Sequence, residues 1–389
     1  MLNYQQLLSK KYPHGYYKVN AEIFDHKISA LTYATKVGKT PTWHFHRHVY
    51  ESLNWQVDLP IDLSILYQQR ARQLREKYDY LVMSFSGGSD SWTAIQAFID
   101  SNTHLDEIFV RWPVAATQGK FNLTNKNTHA SNILSEWELT IIPMLEHYRK
   151  IIPRTKITIH DWSNGIEKEV TEFDWSMAQD HLNIGNFLKY QSIGAAELAA
   201  IEKGKRTAII YGTDKPRLCV DRGNIYCYFL DHLANIHAVD SKDHLVNRVS
   251  ELFYWTSDLP ELVLVQAREI YQFIKDKPNI INLVQWGKPI ANKHQWNNVL
   301  RNIVYKQYSL LNMFQANKPS TNVLNEVDYW LSNNQNLRYT QSWQAGLTSV
   351  MSEINSKFHQ YKDTEFIGFV GYIDGMYLLG PVTTAVTTA

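Results

Sequence analysis

The chain has 389 residues, 44% of them hydrophobic, and a formal net charge of +1, enough to bury a sizeable core and too even to set up a global field toward nucleic acid or an anionic membrane. No run is long and apolar enough to span a bilayer, and the first residues do not read as a secretory leader, which leaves no membrane partner and a soluble, cytoplasmic reading. Two cysteines, Cys219 and Cys227, exclude a four-thiolate zinc site or an iron–sulfur cluster supplied by this chain alone, and they suit a reducing compartment.

Residues 16–50 are mixed and aromatic, the pattern of a small β-rich extension. Within them His44, His46 and His48 alternate, so one strand would place all three on one side, as metal ligands could be, although no Cys, Asp or Glu joins them. Residues 62–77 form a predicted helix with Leu63, Leu66, Tyr67, Ala71 and Leu74 on one side. Residues 80–85 are an apolar run that fits one buried strand, ending at Ser84 and Phe85.

Next comes Ser86-Gly87-Gly88-Ser89-Asp90-Ser91, followed by an amphipathic helix from Trp92 to Ile99. A strand, a tight Gly-Gly turn and a helix start gather backbone N–H groups and a positive helix end around one point, which is an anion site. Glycine lets the backbone approach a phosphate closely, and Ser86, Ser89 and Ser91 add hydroxyl donors. Asp90 should repel phosphate unless a divalent cation bridges the two. The turn lacks the lysine of the commoner Gly-x-x-x-x-Gly-Lys-Ser/Thr phosphate loop.

Residues 107–112 read as a second strand, 132–152 as a helical segment kinked at Pro143, and 156–162 as a third strand. A helix over 195–201 stops at Gly204, and 207–211 form a fourth strand. Strands separated by helices imply right-handed crossovers and a parallel twisted sheet with helices on both faces, an α/β fold that binds ligands beyond the carboxyl ends of its strands. The fourth strand runs into Gly212-Thr213-Asp214-Lys215-Pro216-Arg217, whose cations face the same crevice. Lys215 and Arg217 could neutralise charge developing on a departing phosphate group. A hairpin then joins 218–220 to 225–230 through residues 221–224, placed to project over the crevice.

After Asp240 the pattern is mostly helical, over 260–274, 296–308 and 343–358. A final hairpin is expected between 366–370 and 376–379 around Asp374-Gly375. The organisation is therefore an N-terminal extension over 1–77, a nucleotide-binding α/β domain over 78–240 and a mostly helical region over 241–389.

The six residues 86–91 resemble the Ser-Gly-Gly-x-Asp-Ser signature of the PP-loop ATP pyrophosphatases, over about residues 78–231. The resemblance implies a HUP-like, adenine nucleotide alpha hydrolase-like fold and an enzyme using ATP and Mg²⁺. It implies cleavage between the α- and β-phosphates, giving AMP and pyrophosphate while an acceptor is adenylylated for ligation or amidation. Ser84, Ser86, Gly87, Gly88, Ser89, Asp90 and Ser91 would then form the pyrophosphate cradle, completed by Gly212 and Thr213. Asp90 would hold Mg²⁺, and Asp90, Lys215 and Arg217 would serve catalysis. Arg111 and Trp112 end the second strand, where members of the superfamily contact adenine through backbone atoms.

Departures from the family narrow the member. No cysteine precedes Cys219, against an intrinsic glutaminase of the asparagine synthetase kind. Nothing after Cys227 can serve as the reactive cysteine of a sulfonucleotide reductase, and the cysteine clusters of zinc-ribbon thiolases are absent. An adenylating ligase remains, or a thiolase using Cys219 and Cys227, or a nucleotide-binding module without turnover. The acceptor, whether a small molecule or a tRNA, is not written in the sequence.

Overall fold

Short buried runs separated by amphipathic segments give the middle of this chain a parallel sheet. The computed structural model describes residues 4–114, 137–162, 193–213, 216–231, 248–306, 331, 333–334, 336–362 and 365–383. Helix α1 (Tyr4–Lys11) precedes a small antiparallel sheet of β1 (Tyr16–Val19), β2 (Glu22–Phe24) and β3 (Thr42–His44), with α2 (Lys27–Val37) between β2 and β3. A single turn, α3 (Arg47–Tyr50), and α4 (Leu63–Lys77) lead into β4 (Tyr80–Ser84), α5 (Ser89–Asp100) and β5 (Glu107–Trp112). Then come α6 (Ile142–Ile151), β6 (Lys156–Asp161), α7 (Ala195–Glu202) and β7 (Thr207–Tyr211), followed by β8 (Arg217–Asp221), β9 (Asn224–Leu230) and β10 (Arg248–Leu252). Helices α8 (Pro260–Ile274), α9 (Pro278–Ile281), α10 (Lys293–Val304) and α11 (Arg338–Glu353) precede β11 (His359–Lys362), β12 (Glu365–Phe369) and β13 (Ile373–Pro381).

The central sheet has the order β10-β7-β4-β5-β6, and every pair in it is parallel. Chain order reverses at β4: the chain moves out through β5 and β6, then returns to β7 on the other side. That reversal is the switch point of an open α/β sheet. Alternate residues face opposite sides. On one side Glu251 of β10 receives the fully buried Arg70 of α4 at 2.8 Å, and Phe85 meets the ring of Tyr148 on α6, so α4, α5 and α6 share that face. On the other side Arg248 of β10 pairs with Glu197 of α7 at 2.7 Å. Helices therefore cover both faces, as alternation alone predicts. Among the described residues no helix is long and apolar enough to cross a membrane.

Local signals explain the boundaries. Asp62 accepts the Ser64 N–H at 2.7 Å and caps α4, whose buried stripe is the predicted Leu63, Leu66, Tyr67, Ala71 and Leu74 together with Arg70. Residues 137–141 form a π-turn that passes into α6, with Pro143 in its first turn, so the predicted kink is a change of helical pitch. β8 and β9 form the predicted hairpin, its turn made by Arg222 and Gly223 at φ +47° and +78°.

Three expectations change. The sheet has a fifth strand, β10, beyond the boundary drawn at residue 240, where its parallel ladder satisfies the outer backbone edge of β7. The region after 240, expected to be mostly helical with one terminal hairpin, also holds β11 beside the two expected strands β12 and β13. The last hairpin is paired differently: β12 joins β11, and β13 joins β9. Asp374-Gly375 forms an irregularity inside β13 instead of a turn. The buried Asp374 carboxylate explains this, since it accepts the backbone N–H groups of Phe45 and Gly375 and the Arg47 guanidinium. The resulting β13-β9-β8 sheet places Phe229 against Phe45, Tyr50 and Trp255, all buried, which fuses the N-terminal sheet to the rest of the core.

Candidate functional site

β4 is the central strand, and its carboxyl end delivers the chain into the turn. The Phe85 N–H donates to the Phe109 carbonyl at 2.9 Å, extending the ladder by one residue before the chain leaves the sheet. Gly87 takes φ +72°, a conformation costly for any residue with a Cβ. A Cβ there would also lie 2.9 Å from Cγ1 of Ile141 and 3.2 Å from Cγ2 of Thr140. Gly88 sits at φ −86°, ψ 165° as the N-cap of α5, an ordinary extended backbone, so the turn's conformational demand falls on Gly87. The first helical bond of α5 runs from Trp92 N–H to the Gly88 carbonyl, 3.0 Å. The N–H groups of Ser89, Asp90 and Ser91 precede it, where a helix offers no carbonyl of its own.

The serines divide in role. Ser91 is buried; its hydroxyl donates to the Gly88 carbonyl at 3.2 Å and accepts the Ser86 N–H at 3.4 Å, which ties the turn closed. Ser89 is buried too, and Ser86 alone is exposed.

A second wall comes from β7. A Cβ on Gly212 would lie 2.7 Å from Ser91 Cα, 2.8 Å from Ser91 N and 2.9 Å from Asp90 C. The segment after β7 therefore rests directly on the first turn of α5, and the two glycine-bearing segments meet at the switch point. Thr213 follows, half-buried. Lys215 lies outside the described residues. Arg217 is half-buried at the head of β8, opposite Tyr228 in the ladder to β9.

Behind α5 stands a tyrosine cluster whose members no sequence spacing groups. The Tyr254 hydroxyl donates to the Asp90 carbonyl at 2.7 Å from 164 residues away. Tyr305, just past α10, stands near the Asp90 carboxylate and packs edge-on against Tyr254 at 5.7 Å. Burial, and then the neighbouring Asp90 carboxylate, push the Tyr305 hydroxyl well above its ordinary value and keep it neutral. Among the described residues no three His, Cys, Asp or Glu side chains gather as metal ligands. A Mg²⁺ site here would rest on Asp90 and on phosphate oxygens, a donor set that suits Mg²⁺, which commonly takes one or two carboxylates with its phosphates.

Arg111 ends β5 on the face opposite α5. Its Nη1 donates to Ser84 Oγ at 3.1 Å, its guanidinium lies 5.0 Å from the Phe109 ring and 6.0 Å from the Tyr211 ring, and the residue is 6% exposed. Trp112 stacks on Trp137 with ring centres 4.9 Å apart, buried in the core. Asp161 accepts the Val114 N–H at 2.9 Å and shapes the exit from β5.

The remaining candidates separate. β3 ends at His44 and His46 turns to φ +44°, so the three histidines do not share a strand face. His46 bonds the Pro13 carbonyl, His48 meets Ser9, and burial with nearby Arg47 pushes His44 down to about 4. In the β8–β9 ladder Leu218 faces Cys227 and Cys219 faces Tyr226, which puts the two thiols on opposite faces of their sheet. Burial pushes Cys219 up to about 12 and raises Cys227 further, so neither is a ready thiolate. Comparison with protein-family models gives no match, and comparison with curated proteins gives none either.

Proposed function

We propose that the protein is an ATP-dependent enzyme of the PP-loop type, with a HUP-like nucleotide domain, that splits ATP between the α- and β-phosphates. The observation that carries this reading is the turn over residues 85–88. It leaves the central strand at the switch point, with Gly87 at φ +72°, and opens α5 under Gly212. The first-turn N–H groups of α5 and the exposed Ser86 hydroxyl take the pyrophosphate end of the nucleotide, favoured by the positive helix end. Bound Mg²⁺ supplies charge neutralisation between phosphate oxygens. Asp90 is the residue that would hold it, its backbone carbonyl anchored by the Tyr254 hydroxyl.

The chain's own part in the reaction is positioning and charge. An acceptor oxygen attacks the α-phosphorus, the bond to the β-phosphate oxygen breaks, and pyrophosphate departs into the cradle. Lys215 and Arg217 are assigned to the charge on that leaving group. Gly212 and Thr213 close the second side. A thiol relay draws no support from cysteines that face opposite ways with raised pKa values, so we favour an adenylating ligase or amidating enzyme acting in the cytoplasm on a small molecule or a tRNA.

Titration calorimetry with Mg-ATP and with Mg-pyrophosphate tests the reading. Both should bind, and Asp90→Asn should weaken binding in Mg²⁺ while leaving binding in EDTA unchanged. A wild-type protein that binds neither probe removes the proposed function. Affinity of Asp90→Asn unchanged from wild type in both conditions removes Asp90 from the metal role.

A further inference from the structure

The sheet edge at the switch point has two sides, and the loop uses only one. The turn over 85–88 leads into α5, which shares its face with α4 and α6. On the other face, Ser84, Phe109 and Tyr211 stand in register across three neighbouring strands. One pleat further toward the carboxyl edge, Arg111 and His160 are paired on that same face. The Arg111 side chain does not run outward along its own strand. It folds back over Phe109, bonds Ser84 on β4 and points toward Tyr211 on β7, so it crosses the reversal of strand order. The His160 ring lies 5.8 Å from Phe109 and completes the far side.

We propose that Arg111, with Ser84 and His160, forms an oxyanion-binding recess on the face opposite α5, distinct from the loop that takes pyrophosphate. The proposal rests on the nucleotide reading above and goes beyond backbone contact at the end of β5. A guanidinium lying over one ring, near a second and bonded to Ser84 is pre-organised, and its planar fork matches paired oxygens. The neighbouring hydroxyl of Ser84 and the imidazole of His160 add hydrogen-bonding groups of the right kind. The ligand chemistry is a group with two equivalent oxygens. It has two sources in such a reaction: the α-phosphate of the nucleotide, which must sit beside the pyrophosphate cradle, or a carboxylate of the acceptor. In either case the recess sets the α-phosphorus between two anion sites, one for the leaving group and one for the group that stays.

Calorimetry on the full chain with three probes tests this: Mg-pyrophosphate for the loop, AMP for the α-phosphate and benzoate for an acceptor carboxylate. Arg111→Met should leave pyrophosphate affinity unchanged. It should weaken AMP by roughly ten- to a hundredfold, the span expected for losing hydrogen bonds to a charged group, if the nucleotide is the source. If the acceptor is the source, AMP is unaffected and benzoate binding to the wild type disappears in the variant. Arg111→Lys keeps the charge without the fork and should show a smaller loss, and it serves as the readout where Arg111→Met does not melt cooperatively. The proposal is overturned if a folded Arg111 variant binds AMP and benzoate as the wild type does, or if the wild type binds neither. A wild type that binds AMP or benzoate through Arg111 but not pyrophosphate keeps the recess and discards the loop reading.

Discussion

Gly212→Ala is the sharpest probe of how the two glycine-bearing segments meet. Its new methyl would sit 2.7 Å from Ser91 Cα, 2.8 Å from Ser91 N and 2.9 Å from Asp90 C. Carbon contacts are ordinarily comfortable at about 3.5–4.0 Å, so the overlap is about 0.8 Å. All three atoms belong to backbone in the first turn of α5, where no rotamer change can relieve them. Either β7 or the start of α5 must move, at a cost of about 1–3 kcal/mol for overpacking in a fitted site. The same displacement moves the N–H groups assigned to phosphate. Losing one charge-assisted hydrogen bond there should weaken Mg-pyrophosphate by roughly tenfold or more. Chemical denaturation and titration calorimetry on the same preparations give both numbers. A variant with wild-type denaturation midpoint and wild-type pyrophosphate affinity would refute the packing argument, while weak binding by the wild type itself would fall on the function and not on the packing.

Other substitutions test separate parts. Gly87→Ala should lose about 1–2 kcal/mol of stability, because L-residues pay that much in the left-handed region. Gly88→Ala should lose less, its backbone being ordinary, and equal losses in urea denaturation would place the strain elsewhere. The double substitution Cys219→Ser, Cys227→Ser should retain ATP binding and pyrophosphate release, with modest destabilisation from two buried hydroxyls; loss of turnover with ATP affinity and melting temperature preserved would restore the thiolase. Burial works against ionising Glu251, but Arg70, Lys77 and Tyr78 overcome it and hold its carboxyl down at about 2, below its usual 4.5. A depressed carboxylate stabilises the fold above the unfolded value and loses that contribution as pH falls toward the folded one. Stability followed by denaturation from pH 5 down to pH 2 should therefore fall less steeply in Glu251→Gln than in wild type, and parallel profiles would contradict the assignment.

How far the sequence could be read depended on whether a feature was local. The strand, turn and helix over residues 80–99 are encoded by adjacent residues, and the same holds for the β8–β9 hairpin, whose turn residues sit side by side. Gly212 was legible as a candidate, but its close approach to Ser91 required the strand order. Tyr254 and Tyr305 were invisible as partners of Asp90 because no spacing connects them to it. The Asp374-Gly375 pair carried a true hairpin signal, and tertiary context overrode it: a carboxylate that satisfies Phe45, Arg47 and Gly375 outweighs a local turn preference. β10 was missed because one short strand at a sheet edge, whose partner is β7, has little periodicity of its own.

The pairing of β13 with β9 also governs the order in which this protein can be made. β9 is the middle strand of its sheet, and its second neighbour is the last strand of the described chain. The Phe45 N–H reaches its acceptor on Asp374 across 329 residues. The N-terminal sheet can pair its own three strands early, but its seam to Asp374 has to wait for β13, and until then β9 presents an open edge beside the aromatic core around Phe229. Closing so long a loop is slow compared with local helix formation, so the seam between Phe45 and Asp374 forms late. A chain cut before Ile373 would keep the sequence of the nucleotide loop intact and still expose that edge, which makes aggregation, and not a defect in nucleotide chemistry, the expected fate of a truncated product.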